Sequence, residues 1–134
     1  MKILLAVDGS DHSYEAARAL KYLRRPDELI LLHVVDAPRP LYPMMVPEVA
    51  HELYAQLERS MKEDGEQLLT RINSLLPPHS GPATTQLRAG SPSELIVETA
   101  EARHVDLIVM GARGLGPLKE RLLGSVSHRV LSVA

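Results

Sequence analysis

The stretch that decides the fold is residues 106–127, which read DLIVMGARGLGPLKERLLGSVS. After its first residue comes a short, unbroken apolar run, which predicts a buried strand covered on both faces. The sequence that follows contains four glycines, at positions 111, 114, 116 and 124. Glycine loses more conformational entropy on folding than other residues, so this cluster indicates a loop whose backbone lies unusually close to another group.

Three further strands are predicted upstream of this stretch. Residues 3–7 and 29–35 are continuously apolar, as expected for strands of a parallel sheet with helices on both faces. Residues 83–88 are more polar, which favours a strand at the edge of the sheet.

Helical sequence alternates with these strands. The predicted helices run from Ser10 or Asp11 to about residue 25, from residue 48 to about 76, and from a Ser91 cap to about residue 103, with a last helix after the glycine loop. Alternating strands and helices predict an α/β fold: an open parallel sheet with right-handed crossovers and helices on both faces.

Composition limits the function classes. The chain has 134 residues, no cysteine, no Phe or Trp, and a formal net charge of -2. We expect one domain over residues 1–134 in a reducing cytoplasm, without disulfides or thiolate metal sites. Neither nucleic acid nor a membrane is an expected partner, because there is no basic excess, no aromatic stacking platform and no apolar run of about 20 residues.

The glycine stretch predicts a phosphate site. In open parallel sheets, ligands bind beyond the carboxyl ends of the strands, where the strand order reverses. A loop poor in side chains that leads into a helix offers several backbone N–H groups to an anion, and Arg113 and Lys119 add positive charge.

The glycine stretch matches neither a Walker A loop nor a dinucleotide fingerprint. A response-regulator receiver is excluded because the third strand leads into Arg88-Ala89-Gly90 rather than a phosphoacceptor aspartate.

The spacing of this loop resembles that of a known family. Gly111-x2-Gly114-x9-Gly124-Ser125 is similar to the G-x2-G-x9-G-[S/T] loop of ATP-binding universal stress proteins. VDGS at residues 7–10, LLHVVD at 31–36 and DLIVMGARG at 106–114 extend the resemblance over essentially the whole chain. It implies a three-layer α/β/α sheet, Rossmann-like and adenine nucleotide α-hydrolase-like, with strand order 3-2-1-4.

The resemblance also implies a binding site for ATP, with Mg²⁺ held through the phosphate oxygens. The nucleoside side of the site would comprise Ala6, Val7, Asp8, Val34, Met110 and Gly111. The phosphate side would comprise Arg113, Gly114, Gly124, Ser125, Val126 and Ser127. Asp8 would accept hydrogen bonds from the ribose or contact the adenine edge. No catalytic residue and no protein metal site are predicted.

The carboxyl terminus departs from the family pattern. Members of the family usually continue after the last helix into a fifth strand of the Val-Leu-Val-Val type, whereas this chain stops at Val133-Ala134. We therefore expect the fifth strand to be absent, leaving the fourth strand at the sheet edge unless a homodimer or tandem-domain partner covers it.

Three functions follow from the sequence. The first is an ATP-binding regulatory protein of a stress response, with at most slow ATP hydrolysis. The second is a nucleotide-hydrolysing or adenylyl-transferring enzyme of the same superfamily, although no general base is evident. The third is an interaction module that keeps the fold without nucleotide.

Overall fold

Five parallel strands form one sheet in the computed structural model, which describes residues 1–36, 47–111 and 129–133. The strands are β1 (Lys2–Val7), β2 (Glu28–Val35), β3 (Ala83–Ala89), β4 (Leu107–Gly111) and β5 (Arg129–Val133). Their order across the sheet is β3-β2-β1-β4-β5. The predicted order 3-2-1-4 is confirmed, and the polar strand β3 lies at an edge as predicted.

Helices cover both faces of the sheet, as the alternation of strands and helices predicts. The described helices are α1 (Asp11–Ala19), α2 (Pro47–Leu75) and α3 (Pro92–Ala102), with short 3₁₀ turns at Leu20–Tyr22 and Pro78–Ser80. α1 and α2 pack on one face, and α3 packs on the other. The three-layer α/β/α architecture is therefore confirmed.

The core is aliphatic and lies on both sides of β1. Ile3, Leu5 and Val7 pack against α1 and α2, whereas Leu4 and Ala6 pack against α3. A strand with both faces buried needs apolar residues at odd and even positions, which explains its unbroken apolar run. Each fully buried aliphatic side chain of this size contributes about 1.5–3 kcal/mol of hydrophobic stabilisation.

The prediction that the fifth strand is absent is wrong. Residues Arg129–Val133 form β5, which pairs in parallel with β4 in a register that places Ile108 opposite Val130 and Gly111 opposite Val133. Val130 packs against the apolar cluster on the α3 face. The sequence analysis expected the chain to stop before a strand of the Val-Leu-Val-Val type. In the structure the backbone of Arg129–Val133 instead pairs with β4 and satisfies the backbone groups of an otherwise unpaired apolar edge.

The first and third helices also differ in detail from the prediction. α1 ends at Ala19 instead of about residue 25, because the chain tightens into the 3₁₀ turn that buries Leu20 and then becomes extended at Leu23. α3 begins at Pro92, as predicted, but the Ser91 side chain makes no cap hydrogen bond. The Ser91 carbonyl oxygen instead accepts the Leu95 N–H at 3.0 Å.

Within residues 1–36, 47–111 and 129–133, no helix combines the length and apolar character needed to cross a bilayer.

Candidate functional site

The strand order reverses between β1 and β4. The chain moves from β1 to β2 and β3 in one direction, with α1 and α2 on one face, and α3 then carries it back to β4 on the other face. β1 and β4 are paired, with Ala6 opposite Met110. Because connections leave this pair of strands on opposite faces, the crevice beyond their carboxyl ends is where ligands bind in such folds. We call it the carboxyl edge.

The structure brings the described nucleoside-side residues to this edge. Ala6, Val34 and Met110 share the apolar cluster on the α3 face. Ala6 and Met110 are buried, and Val34 is half-buried. The Val7 side chain points to the opposite face, so Val7 would contribute to a site on the α3 face only through its backbone.

Asp8 anchors a tight turn between β1 and α1. Its Oδ1 accepts the Ser10 N–H at 3.0 Å and the hydroxyls of Ser10 and Ser13 at 2.6 and 2.7 Å. The Ser13 hydroxyl also accepts the Asp8 N–H at 2.8 Å. Gly9 occupies the turn with φ +86°, a conformation that side chains of L-residues rarely adopt. Among the described residues nothing donates to Oδ2 of Asp8, which leaves that oxygen as an acceptor.

These hydrogen bonds also determine the charge of Asp8. Partial burial by itself raises the pKa of the carboxyl, but hydrogen bonds from the Ser10 side chain, the Ser10 backbone and Ser13 together hold the pKa below its ordinary value. Asp8 is therefore ionised throughout the neutral range, so both of its carboxylate oxygens act as acceptors.

His33 lies beside β1 at the same edge. It is opposite Val7 in the β1–β2 register, and its Nδ1 lies 2.7 Å from the Val7 carbonyl oxygen. The His33 ring is half-buried, and this contact satisfies its Nδ1. A Cβ at Gly65 of α2 would lie 2.8 Å from His33 Cδ2, so the glycine allows the helix to pack directly on the imidazole.

Gly111 has a packing role that the sequence did not suggest. A Cβ added there would lie 2.5 Å from the His12 Cβ and 3.0 Å from the His12 carbonyl carbon. Such distances are far inside van der Waals contact, so only glycine allows the first turn of α1 to lie against the end of β4. At this glycine the close neighbour in the structure is α1. The predicted contact of Gly111 with nucleotide stays a prediction.

Two residues at this edge were missed by the sequence analysis. Ser13 is buried and closes the Asp8 turn, while His12 is half-buried with its Nδ1 enclosed and without a hydrogen-bond partner. A signal for Ser13 was available, because hydroxyl residues follow Asp8 at the second and fifth positions, where a turn and one helical turn return them to the carboxylate. The contact of His12 with Gly111 joins segments about 100 residues apart, and no local pattern encodes it.

The phosphate side of the predicted site lies outside the described residues. It comprises Arg113, Gly114, Gly124, Ser125, Val126 and Ser127. Their assignment to phosphate binding stays a prediction.

Two of the grooves formed by described residues lie elsewhere. One, of about 510 Å³, lies between α2 and β3 and is lined by Glu66, Leu69, Thr70, Asn73, Thr85 and Leu87. Its only charged lining residue is acidic, which disfavours a phosphate ligand. The other, of about 400 Å³, lies at the amino end of the sheet near Arg25 and Gly81. Neither is lined by a predicted site residue. No group of three His, Asp or Glu among the residues that the structure describes could hold a metal ion.

Comparisons with known proteins agree with this fold. Residues 1–134 match the Universal stress protein family. A relative from Methanocaldococcus jannaschii, universal stress protein MJ0531, is 36% identical over 135 residues, covering 99% of this chain and 76% of the relative. The solved structure of MJ0577 from the same organism has a TM-score of 0.75 and 27% identity, covering 98% of this chain and 94% of that one.

Solved structures of this fold include nucleotide complexes. One is a universal stress protein from Archaeoglobus fulgidus in complex with dAMP, with a TM-score of 0.62 and 20% identity, covering all of this chain and 98% of that one. Others are described as a universal stress protein in complex with cAMP and an Arabidopsis thaliana family protein with AMP bound. At these identities the likeness to this chain is one of fold.

Proposed function

The chain belongs to the universal stress protein family, and from this premise we propose that it binds ATP with Mg²⁺ at the carboxyl edge. Nucleotide occupancy then changes its conformation or its choice of partner in a cytoplasmic stress response. The observation that carries the proposal is the spacing Gly111-x2-Gly114-x9-Gly124-Ser125, which follows the strand at which the order reverses.

The described residues support the nucleoside half of this proposal. The buried Ala6 and Met110 and the half-buried Val34 form an apolar cluster on one face of the carboxyl edge, against which an adenine ring would pack. Asp8 supplies an ionised carboxylate whose Oδ2 has no donor among the described residues, suited to a ribose hydroxyl. The fold also accommodates adenine nucleotides in other proteins, including those described with AMP and dAMP.

The phosphate half of the proposal rests on the sequence pattern. Gly114, Gly124 and Ser125 would offer backbone N–H groups and a hydroxyl to the phosphates, with Arg113 as a cation. Val126 and Ser127 complete the motif. The Mg²⁺ would be held by the phosphate oxygens and water, since this ion keeps much of its hydration shell in nucleotide sites.

Calorimetric titration tests the proposal directly. We expect ATP with Mg²⁺ to bind the purified chain. We expect GTP to bind at least about tenfold more weakly, because guanine carries an exocyclic oxygen and amino group that an apolar pocket with few polar groups would leave without hydrogen-bond partners. Acid extraction of the protein before titration, followed by measurement of adenine absorbance, shows whether nucleotide is already bound. A folded, nucleotide-free sample that gives no heat at millimolar ATP would refute the proposal.

A matched pair of glycine variants tests the phosphate assignment. Gly124→Val changes a motif glycine, whereas Gly116→Val changes a glycine of the same segment outside the motif. We expect Gly124→Val to reduce ATP affinity by more than about tenfold while the far-UV spectrum stays native, because a side chain would block close approach of the phosphates. We expect Gly116→Val to bind nearly as the wild type does. Equal affinities for the two variants would refute the assignment.

A further inference from the structure

The connection between α1 and β2 is strongly basic. Residues 16–26 read AARALKYLRRP and contain no acidic residue, although the whole chain carries a formal net charge of -2. Their basic side chains, Arg18, Lys21, Arg24 and Arg25, are all exposed. The charge of this segment is therefore opposite in sign to that of the chain as a whole.

The end of α1 accounts for two of these four cations. Arg18 lies in the last turn of α1, and Lys21 lies in the 3₁₀ turn that follows it. Cations at the end of a helix complement its dipole. Arg24 and Arg25 follow Leu23, where the chain has become extended. The helix dipole does not account for them.

The Arg25 guanidinium is held against the backbone but has no partner. A Cβ added at Gly81 would lie 3.1 Å from Nη2 of Arg25 and 3.4 Å from its Nε, so the guanidinium rests against the glycine. Gly81 has φ +75°, a second reason why glycine is favoured there. Among the described residues Arg25 makes no hydrogen bond and no ion pair. Its N–H donors are those that match the two oxygens of a carboxylate.

Arg25 lines a groove at the amino end of the sheet, which we call the Arg25 groove. Its volume is about 400 Å³, and its other lining residues are Pro26, Asp27, Leu29, Ser80, Gly81 and Pro82. The Asp27 carboxylate pairs with the Met1 ammonium. The charge that the groove offers to a ligand is therefore that of Arg25, beside the apolar surface of the two prolines.

Charge and composition favour an acidic protein segment as the occupant. A nucleic acid would bring a run of phosphates, which calls for many cations and for aromatic stacking. The chain has no Phe or Trp, and Lys21 Nζ already lies 5.0 Å from the centre of the Tyr22 ring. Membrane recognition typically uses clusters of about 4–8 cations at the surface, whereas beyond α1 this segment has two, Arg24 and Arg25. A carboxylate needs one guanidinium.

We propose that the Arg25 groove is a docking site for an extended acidic segment of a partner protein. A Glu or Asp carboxylate of that segment accepts from the Arg25 guanidinium, and a neighbouring apolar side chain packs on Pro26 and Pro82. Arg24 adds attraction at longer range. The groove lies at the start of β2 and β3, whereas the carboxyl edge is formed by strand ends. Docking therefore does not depend on the nucleotide that we propose for the carboxyl edge.

An NMR titration of the ¹⁵N-labelled full chain tests the location. The probe is a peptide of alternating Glu and Ala residues, and the control peptide replaces each Glu by Gln. We expect saturable amide shifts at Leu29, Ser80 and Gly81 with the acidic peptide, weakened by added salt, and none with the control. No shift at these amides with millimolar acidic peptide, or equal shifts with the two peptides, would overturn the proposal.

A matched pair of arginine variants tests the contact. Arg25→Gln should weaken binding of the acidic peptide by about tenfold, whereas Arg59→Gln removes the same charge from an exposed position on α2 and should bind nearly as the wild type does. Arg25→Lys keeps the charge without the planar fork and should be intermediate. Equal losses for Arg25→Gln and Arg59→Gln would show that only net charge matters and would overturn the proposal.

Two further measurements separate this site from other surfaces. The melting temperature and ATP affinity of Arg25→Gln should equal those of the wild type, because Arg25 is exposed and outside the proposed nucleotide site. Co-sedimentation with phosphatidylserine vesicles and titration with oligouridylate should show no binding that depends on Arg25. Binding to either one that Arg25→Gln abolishes, without binding of the acidic peptide, would identify a lipid or nucleic-acid surface and overturn the proposal.

Discussion

The two ends of the sheet are built by different chemistry. At the amino edge, charged groups pair with one another: the Met1 ammonium pairs with Asp27, and Glu28 accepts a hydrogen bond from Arg103 and forms an ion pair with Lys2. At the carboxyl edge, the described contacts are a hydrogen-bonded turn and a close approach of two backbone segments.

This difference separates an end where these charged groups are paired from an end where two described polar atoms have no partner among the described residues. The ion pairs of the amino edge are at the surface and partly exposed, so each contributes little to stability. At the carboxyl edge two polar atoms, Oδ2 of Asp8 and Nδ1 of His12, have no hydrogen-bond partner among the described residues. Groups that a fold leaves without partners are the ones a ligand can use.

The largest expected effect comes from Gly111→Ala. The added Cβ would lie 2.5 Å from the His12 Cβ and 3.0 Å from a backbone carbon, so the first turn of α1 must move away from β4. We expect a loss of about 1–3 kcal/mol in the free energy of unfolding, measured by urea titration. ATP affinity should fall as well, because the displaced turn carries the hydrogen-bond partners of Asp8.

Gly65→Ala is the control for this variant. Its Cβ would lie 2.8 Å from His33 Cδ2 and 2.9 Å from Leu87 Cδ1, which belong to side chains rather than to backbone. Leu87 can change rotamer and the His33 ring must shift against its Nδ1 contact with Val7, but no backbone has to move, and alanine gains about 1 kcal/mol of helix propensity over glycine. We therefore expect a smaller loss than for Gly111→Ala. Equal losses would show that backbone contact is not what makes the carboxyl edge sensitive.

Asp8→Asn should have an intermediate effect that depends on pH. The variant keeps an acceptor but loses the charge, and because Asp8 is exposed we expect a loss of only about 1 kcal/mol at pH 7. The pKa of Asp8 is lowered in the folded protein, so the ionised carboxylate stabilises the fold above the unfolded pKa of about 3.9, and this contribution is lost as the pH falls through the folded value.

Urea titrations at pH 7 and near pH 3 measure this dependence. The difference between the wild type and Asp8→Asn should shrink in acid. Asp36→Asn is the matched control, because Asp36 is exposed and follows β2 as Asp8 follows β1, and it should change stability little at either pH. A difference between wild type and Asp8→Asn that is constant with pH would contradict the account of the Asp8 turn.

The sequence predicted features that depend on neighbouring residues along the chain, and it missed features that depend on contacts between distant segments. The apolar runs predicted β1, β2 and β4 to within two residues, because a strand buried on both faces has to be apolar throughout. The prediction for β5 was wrong because a strand of the Val-Leu-Val-Val type was expected, whereas the segment RVLSV includes Arg and Ser and is a strand through its pairing with β4.

The same distinction applies to the candidate site. The pairing of β1 with β4, which brings Ala6 beside Met110, follows from the strand order that the family resemblance implies, so the sequence could bring these two strands together. The contact between Gly111 and His12 depends on how closely α1 packs against β4. This packing distance cannot be predicted from the spacing of residues along the chain. The sequence analysis therefore interpreted Gly111 only as a ligand contact.

The smallest expected effect comes from Asp27→Asn at the amino edge. The N-terminal ammonium donates a hydrogen bond to the Asp27 carboxylate, and this bond and its positive charge lower the pKa of Asp27. The carboxylate is fully exposed, so water and salt screen the pair, and the Asp27 N–H still donates to the Met1 carbonyl oxygen at 2.9 Å.

We expect the melting temperature of Asp27→Asn at pH 7 to differ little from that of the wild type, and any difference to vanish in high salt. In acid, the wild type should lose its small advantage as the pH falls below the ordinary pKa of Asp27. A loss as large as that of Asp8→Asn would mean that both ends of the sheet depend on charge in the same way, against the contrast drawn between them.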